Sequence, residues 1–298
     1  MILHTSVLMT AVLEQIMVKP NCHYVDCTFG GGGHTEAILR RNGPRGSMLA
    51  LELDPATIAR GEDKLAEFKK RLTIHRGNFR DIGAIVDALA FGPVSGILYD
   101  FGLSMDLLKQ SSRGFSFLVD EPLDMRFDLA DPFTAADLVA SWTETQIADI
   151  LHFFSEEQFA RRIARGIVEE RKKNPITTSG HLVAVIERSV PAVYKIRKTH
   201  CATKTFQAIR MAVNDEIGAI EQSLASALQI IAPGGRIVVI TFHSVEDRVV
   251  KKAFRAAADT GQFRLPIKKP IGPDEAEVKQ NPASRSAKLR VIEKVSNT

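Results

Sequence analysis

Several short stretches of this 298-residue chain carry residue types that could do chemistry. The first is Val25-Asp26-Cys27-Thr28-Phe29-Gly30-Gly31-Gly32-Gly33-His34, where an apolar stretch runs into glycines. Glycine lets backbone approach a ligand closely, and a helix opening behind such a loop offers free N–H groups. A dinucleotide fingerprint would need its third glycine where Thr35 or Glu36 stands, and a phosphate loop would need Gly-Lys-Ser/Thr, so both patterns fail. Glu52 stands 20 positions after Gly32, the spacing at which an acid takes ribose hydroxyls. Neither acid-rich motif offers charge to a pyrophosphate. A nucleoside without phosphates therefore fits, and S-adenosylmethionine is the common one. The plain alternative is a structural tight turn.

A second stretch, Tyr99-Asp100-Phe101-Gly102, closes an apolar run. A base's exocyclic amine is a poor nucleophile because its lone pair is delocalised into the ring. A carboxylate accepting an amine hydrogen, with an aromatic face beside it, would localise that lone pair, and Asp100 and Phe101 could supply those parts. The alternative is that Asp100 caps a turn. In Phe242-His243-Ser244-Val245-Glu246-Asp247-Arg248, His243 could contact substrate or relay a proton as a catalytic residue, although Ser or His ahead of acids also starts helices. Arg113-Gly114-Phe115-Ser116-Phe117 and Pro122-Leu123-Asp124-Met125-Arg126 mix aromatics with arginines, which suits single-stranded RNA or a loop packed by its own phenylalanines.

These residues need a scaffold, and the pattern predicts one. Strands are expected at His23–Asp26, Ser47–Leu53, Arg71–His75, Val94–Asp100 and Ile237–Phe242, with a last strand at Leu289–Val295. Helices are expected at Thr35–Arg41, from Pro55 to about Lys70, and at Ile82–Ala90. Such alternation argues an α/β fold with a parallel sheet covered on both faces. It breaks at Leu107, and Ala135 to about Pro191 reads as charged helices. Phe206, Ile209, Val213, Ile217, Ile220, Leu224, Leu228 and Ile231 then predict one long core helix on the sheet, stopped by Pro233-Gly234-Gly235. The expected domains are residues 1–106 and 204–298, a split sheet domain, around an inserted helical domain at 107–203.

Hydrophobic content of 45% and charged content of 25% describe a folded globular chain and exclude global disorder or fibrous repeats. No apolar run approaches the ~20 residues of a membrane span, and no signal segment is read at the start. Cys22, Cys27 and Cys201 form no C-x-x-C pair, so neither disulfides nor a metal site is expected, and a reduced cytoplasmic protein is. Net charge is only +4, but it is uneven. Gln158–Phe206 holds 11 Lys and Arg against 3 acids, and Arg248–Thr298 holds 12 against 5. Two basic segments suggest a polyanionic partner, a solvated helix face being the alternative.

The chain resembles the RsmH (MraW) family, bacterial small-subunit ribosomal RNA cytosine-N4 methyltransferases. The resemblance covers nearly its whole length. It rests on His4-Thr5-Ser6-Val7-Leu8, Thr28 to His34, Arg113 to Phe117, Pro122 to Arg126, Lys204-Thr205-Phe206-Gln207-Ala208-Ile209-Arg210, Phe242 to Arg248 and Asn281-Pro282-Ala283-Ser284-Arg285. It implies a Rossmann-like methyltransferase domain with an inserted, mainly helical domain. It implies S-adenosylmethionine as cofactor and, as substrate, a cytosine in the decoding region of ribosomal RNA or of the small subunit. Cofactor binding carries over to Gly32, Gly33, His34, Glu52, Phe79 and Asp100. Oligomeric state is left open, a homodimer included. The chain departs from the family pattern at Glu52, where Asp is usual. It departs again in Phe101-Gly102-Leu103-Ser104-Met105 for Leu-Gly-Val-Ser-Ser, and at Leu107, where a ligand-contacting Gln is common. These departures keep a second reading open, a non-catalytic RNA-binding assembly factor on the same fold.

Overall fold

The computed structural model describes residues 6–102, 112–197 and 199–296. The chain divides into two compact units: Met1–Gly102 with Ile217–Thr298, and Leu103–Glu216. Through its first unit run α1 (Met9–Ile16), β1 (His23–Asp26), α2 (Gly33–Arg41), β2 (Met48–Glu52), α3 (Pro55–Lys64), β3 (Leu72–Arg76), α4 (Ile82–Ala88) and β4 (Val94–Asp100). The insertion carries α5 (Ala135–Ser141), α6 (Glu144–Ser155), α7 (Ala160–Arg171), α8 (Ser179–Ser189), α9 (Ala192–Lys195) and α10 (Thr203–Val213). The chain then returns through α11 (Glu216–Ile230), β5 (Ile231–Thr241), α12 (Ser244–Asp259), β6 (Phe263–Arg264), α13 (Glu275–Gln280) and β7 (Lys288–Lys294).

The first unit is built on a sheet ordered β3-β2-β1-β4-β5-β7-β6. The first five of these strands pair in parallel, while β7 runs antiparallel to both β5 and β6. Strand residues alternate between two cores. Val25, Leu49, Leu51, Ile97, Tyr99, Ile237 and Val239 meet α4, α11 and α12 on one face. Tyr24, Met48, Ala50, Leu98, Val238 and Ile240 meet α1 and α2 on the other. Strands buried on both faces read as nearly continuous apolar runs, which is why β4 and β5 were legible. The helices start where caps allow: Asp54 accepts from Thr57 N at 2.9 Å with Pro55 at the first helical position.

The single long helix expected from Phe206 to Ile231 is two helices. Asp215 takes φ 44°, and Asn214 ties off α10 by accepting from Phe127 N at 2.7 Å and donating to Met125 O at 2.8 Å. The halves also serve different cores. Phe206, Ile209 and Val213 join the insertion, while Ile220, Leu224 and Ala227 lie on the sheet. The units therefore divide at Glu216 rather than at residue 203. Helix α1 was not expected, and β5 opens at Ile231, read as the end of the helix face, and runs through Pro233-Gly234-Gly235, read as its stop.

The insertion packs α5 to α8 and α10 around Leu138, Ile147, Leu151, Ile163, Ile167, Leu182 and Ile186. Capping boxes open α5 at Thr134 with Asp137 and α6 at Thr143 with Gln146.

Candidate active site

Strands β1, β2 and β4 each end in an acid at the carboxyl edge of the sheet: Asp26, Glu52 and Asp100. That edge is where an open α/β sheet holds its ligand. The three acids have different duties.

Asp26 is 1% exposed. Its Oδ2 accepts from Thr35 Oγ1 at 2.7 Å and its Oδ1 from Thr28 N at 3.1 Å. It thereby ties the end of β1 to the loop and to α2. Burial pushes its carboxyl above the usual carboxylate range, against the opposing pull of His34 and these hydrogen bonds. Thr28 continues the chain, its Oγ1 accepting from Asp100 N at 2.7 Å.

Glu52 shapes the glycine loop. Its Oε2 accepts from Gly30 N at 3.1 Å, and its Oε1 from Leu53 N at 2.8 Å and Asp54 N at 3.0 Å. A carboxylate has about four lone-pair sites, so one direction stays open for a ligand hydroxyl. Burial raises this carboxyl as well, offset in part by the three N–H donors. Lys64 Nζ donates to Gly31 O at 2.7 Å from the loop's outer side. Gly32 takes φ 69° and caps α2 without a side chain. A Cβ there would stand 2.9 Å from the Phe29 ring. Glu36 N is the first in α2 to reach a helical acceptor, Gly32 O at 2.9 Å. The preceding N–H groups have no acceptor within the helix.

His34 follows in the first turn of α2. It is 5% exposed, and both ring nitrogens are buried without a hydrogen-bond partner among the described residues. Its Nε2 lies 3.6 Å from Asp100 Oδ2, while Asp100 Oδ1 is buried and, among the described residues, has no hydrogen-bond partner. Buried polar atoms left unpaired are costly, and a ligand or catalytic duty is the usual reason for keeping them. An imidazole beside a carboxylate matches the charged groups of an amino-acid moiety, and the open side of Glu52 matches a ribose hydroxyl. The residues present fit S-adenosylmethionine.

Phe79 sits half-buried at the same edge, its ring centroid 5.6 Å from Phe101 and 6.1 Å from Tyr99. Ser223 fixes it, donating to Phe79 O at 2.8 Å and meeting Tyr99 OH at 2.6 Å. Phe101, expected to face a substrate base, is 5% exposed and belongs to the core under the sheet. The half-buried aromatic ring beside Gly102 is that of Phe242, which lies 3.1 Å from where a Gly102 Cβ would sit.

His243 caps a helix. Its Nδ1 accepts from Glu246 N at 3.3 Å while Glu246 Oε2 accepts from Phe242 N at 2.8 Å. Its Nε2 lies 3.0 Å from Glu246 Oε1 without hydrogen-bond alignment. The aromatic–arginine loop is likewise engaged inside the insertion. Phe115 stacks on Phe127 at 5.7 Å and Phe117 on His200 at 4.9 Å. Arg113 donates to Arg126 O and Phe127 O, and Arg126 pairs with Asp124 at 2.7 Å. Leu107 lies outside the described residues. Sequence reasoning placed Asp26, Thr28 and Phe242 within the stretches it singled out but gave them no individual role, and it passed over Thr35 as a site residue. The signal available for Asp26 was a charged residue closing the β1 stretch; Thr35, behind the glycines and His34, carried none.

A parallel sheet in this order, closed by an antiparallel strand and edged with acids around a glycine turn, defines a Rossmann-like methyltransferase. Within that class the chain belongs to the MraW methylase family, whose model matches residues 1–295. It is 43% identical over 307 residues to the ribosomal RNA small subunit methyltransferase H of Symbiobacterium thermophilum, covering 98% of this chain and 96% of that protein. It is 42% identical over 308 residues to the protein of the same name from Heliobacterium modesticaldum, covering 98% of each. Against that of Clostridioides difficile the identity is 39% over 307 residues, covering 98% of this chain and 99% of the relative. No described helix is long and apolar enough to cross a membrane.

Proposed function

We propose that the chain methylates small-subunit ribosomal RNA, at the N4 amine of a cytosine in the decoding region, with S-adenosylmethionine as donor. The observation that carries this is the Asp100 carboxylate, which stands at the carboxyl edge of β4, 3.6 Å from the buried His34, with one oxygen unpartnered among the described residues. The names of the relatives supply the substrate class. The basic segments at Gln158–Phe206 and Arg248–Thr298 suit a polyanion.

S-adenosylmethionine supplies a methyl group on a sulfonium, an electrophile whose departure leaves a neutral thioether. Gly32, Gly33 and Glu52 cradle the nucleoside part, and Phe79 packs beside it. His34 orients Asp100 through the 3.6 Å contact and faces the amino-acid end. The Asp100 carboxylate, whose side chain is 23% exposed, accepts a hydrogen of the cytosine amine. That holds the nitrogen lone pair out of the ring, and the nitrogen forms its new bond to carbon. The amine's surplus proton leaves through the same carboxylate. A base inside a helix is unstacked before it can reach this edge. The protein acts in the cytoplasm, where small subunits are assembled.

The test is methyl transfer from labelled S-adenosylmethionine to unmethylated small subunits, followed by digestion and identification of the labelled nucleoside. Label in N4-methylcytidine supports the proposal. Label in another nucleoside refutes the acceptor. Donor binding without any transfer favours the non-catalytic RNA-binding reading. Asp100→Ala is expected to leave a folded protein with transfer reduced by about 10²–10⁴. Full activity in that variant would remove Asp100 from the mechanism.

A further inference from the structure

Two cavities in the sheet unit lie outside the cofactor cradle of the glycine loop, Glu52 and His34, the second of them reaching the site at Phe242 and His243. The first, about 310 Å³, has a floor of Phe254, Leu265, Ile267 and Val291. Lys251, Arg255, Lys268 and Lys269 rim it, together with Arg290. Arg290 is engaged by Asp247 at 2.6 Å, but the other four cations form no ion pair among the described residues. The second cavity, about 440 Å³, is lined by Phe242, His243, Arg285 and Lys288 among others, and Pro270 is shared by both. Among the described residues, no acid lines either one.

Their order along the sheet follows from strand register. Val291 of the first cavity pairs with Val238 of β5, and Lys288 of the second pairs with Thr241 at its carboxyl end. The cavities therefore progress along β5 toward the edge where β4 ends in Asp100. Phe242, in the wall of the second cavity, has its ring 3.1 Å from where a Cβ on Gly102, just beyond that acid, would sit. Phe254 and Val291 are buried, so the apolar surface between the four like charges is offered by the half-buried Leu265 and Ile267. A ligand that answers both features has flat apolar faces joined by regularly spaced negative charges. Single-stranded RNA has that chemistry, its bases stacking and its phosphates pairing with Lys and Arg.

We propose that these two cavities form a second RNA site, a track that seats unpaired nucleotides flanking the target base and leads that strand to Asp100. The proposal rests on the reading of RNA as substrate. It differs from a general basic tail in requiring an apolar seat for bases, placed between Lys251, Arg255, Lys268 and Lys269.

The experiment uses the full chain with a labelled single-stranded oligoribonucleotide of about 12 nucleotides, titrated at several salt concentrations. Lys251→Glu/Arg255→Glu and Lys268→Glu/Lys269→Glu change exposed side chains, so unchanged S-adenosylmethionine affinity reports an intact fold. Each double variant is expected to bind the oligonucleotide at least tenfold more weakly. The slope of log K against log salt should become shallower by about 1–2. Transfer to small subunits should lose kcat/KM by a comparable factor. Wild-type oligonucleotide affinity and salt slope in both variants overturn the proposal. If affinity for whole subunits alone then falls, the cavities belong to an acidic ribosomal protein surface, which overturns it equally. Failure here leaves wild-type methyl transfer untouched. Conversely, wild-type protein that binds the oligonucleotide through these residues but labels no ribosomal RNA keeps the track and refutes the proposed function.

Discussion

Gly32 and Gly31 are neighbours in sequence and opposites in their tolerance for a methyl group. Gly32 sits at φ 69°, in the left-handed region, and its missing Cβ would stand 2.9 Å from two atoms of the Phe29 ring and 3.3 Å from Leu65 Cδ1. Forcing a non-glycine residue into that region costs about 1–2 kcal/mol. Overpacking against a core ring adds about 1–3 kcal/mol. Phe29 and Leu65 are both buried in the α1–α2 face of the sheet, so neither ring nor methyl can simply swing into solvent. Gly32→Ala should therefore lose about 2–5 kcal/mol, either as global stability or as displacement of the loop. For a unit of this size, about 2–4 °C accompanies each kcal/mol, which gives a melting temperature lowered by about 4–20 °C. Relief by loop displacement would instead move Gly30 away from Glu52, and S-adenosylmethionine affinity would fall. Gly31→Ala is the control, because nothing lies within 4 Å of its Cβ position and its φ is not in the positive range. It should be neutral, or more stable by about 0.4–1 kcal/mol through the unfolded chain. Thermal melts and donor titrations of both variants decide the matter. Gly32→Ala that melts with wild type and binds the donor as tightly would refute the steric argument.

Two further outcomes follow from buried polar groups. Burial raises the Asp26 carboxyl, so folding favours its proton: its stabilising contribution is complete below the unfolded value of about 3.9 and is lost as pH rises through the raised folded pKa. Asp26→Asn should melt above wild type at pH ~8, with the gap closing toward pH ~4; a variant that melts lower at the alkaline end would contradict this. Arg171, within the basic segment Gln158–Phe206, donates through Nη1 to Val139 O at 2.7 Å and Trp142 O at 2.6 Å at the end of α5. Arg171→Ala should cost about 1.5–3 kcal/mol of stability with RNA affinity unaltered, measured by thermal melts and oligonucleotide binding.

Sequence alone determined which residues end the strands and which loop turns between them. An apolar run such as Val94–Tyr99 can be buried on both faces of a sheet, and a charge at its end must come out at the edge. The placement of Asp100, Glu52 and the glycine turn at one carboxyl edge was thus written locally. So was family membership, carried by motifs spread along the chain. Tertiary structure decided the division of labour among these residues. Asp26 and Glu52 accept backbone and hydroxyl hydrogens that come from neighbouring segments, which no spacing announces. The apolar steps of three and four run straight through Asn214 and Asp215, because periodicity records that a face is buried and not which core buries it. Asn214 breaks the helix by bonding to backbone 87 and 89 positions away. Phe101 and His243 carry the residue types expected of catalysis, yet packing sends one into the core and the capping box holds the other. The basic cavities beside β7 draw on residues from Phe242 to Val291. Only the antiparallel return of β7 along β5 brings those residues into one track, since chain distance carries no information about that pairing.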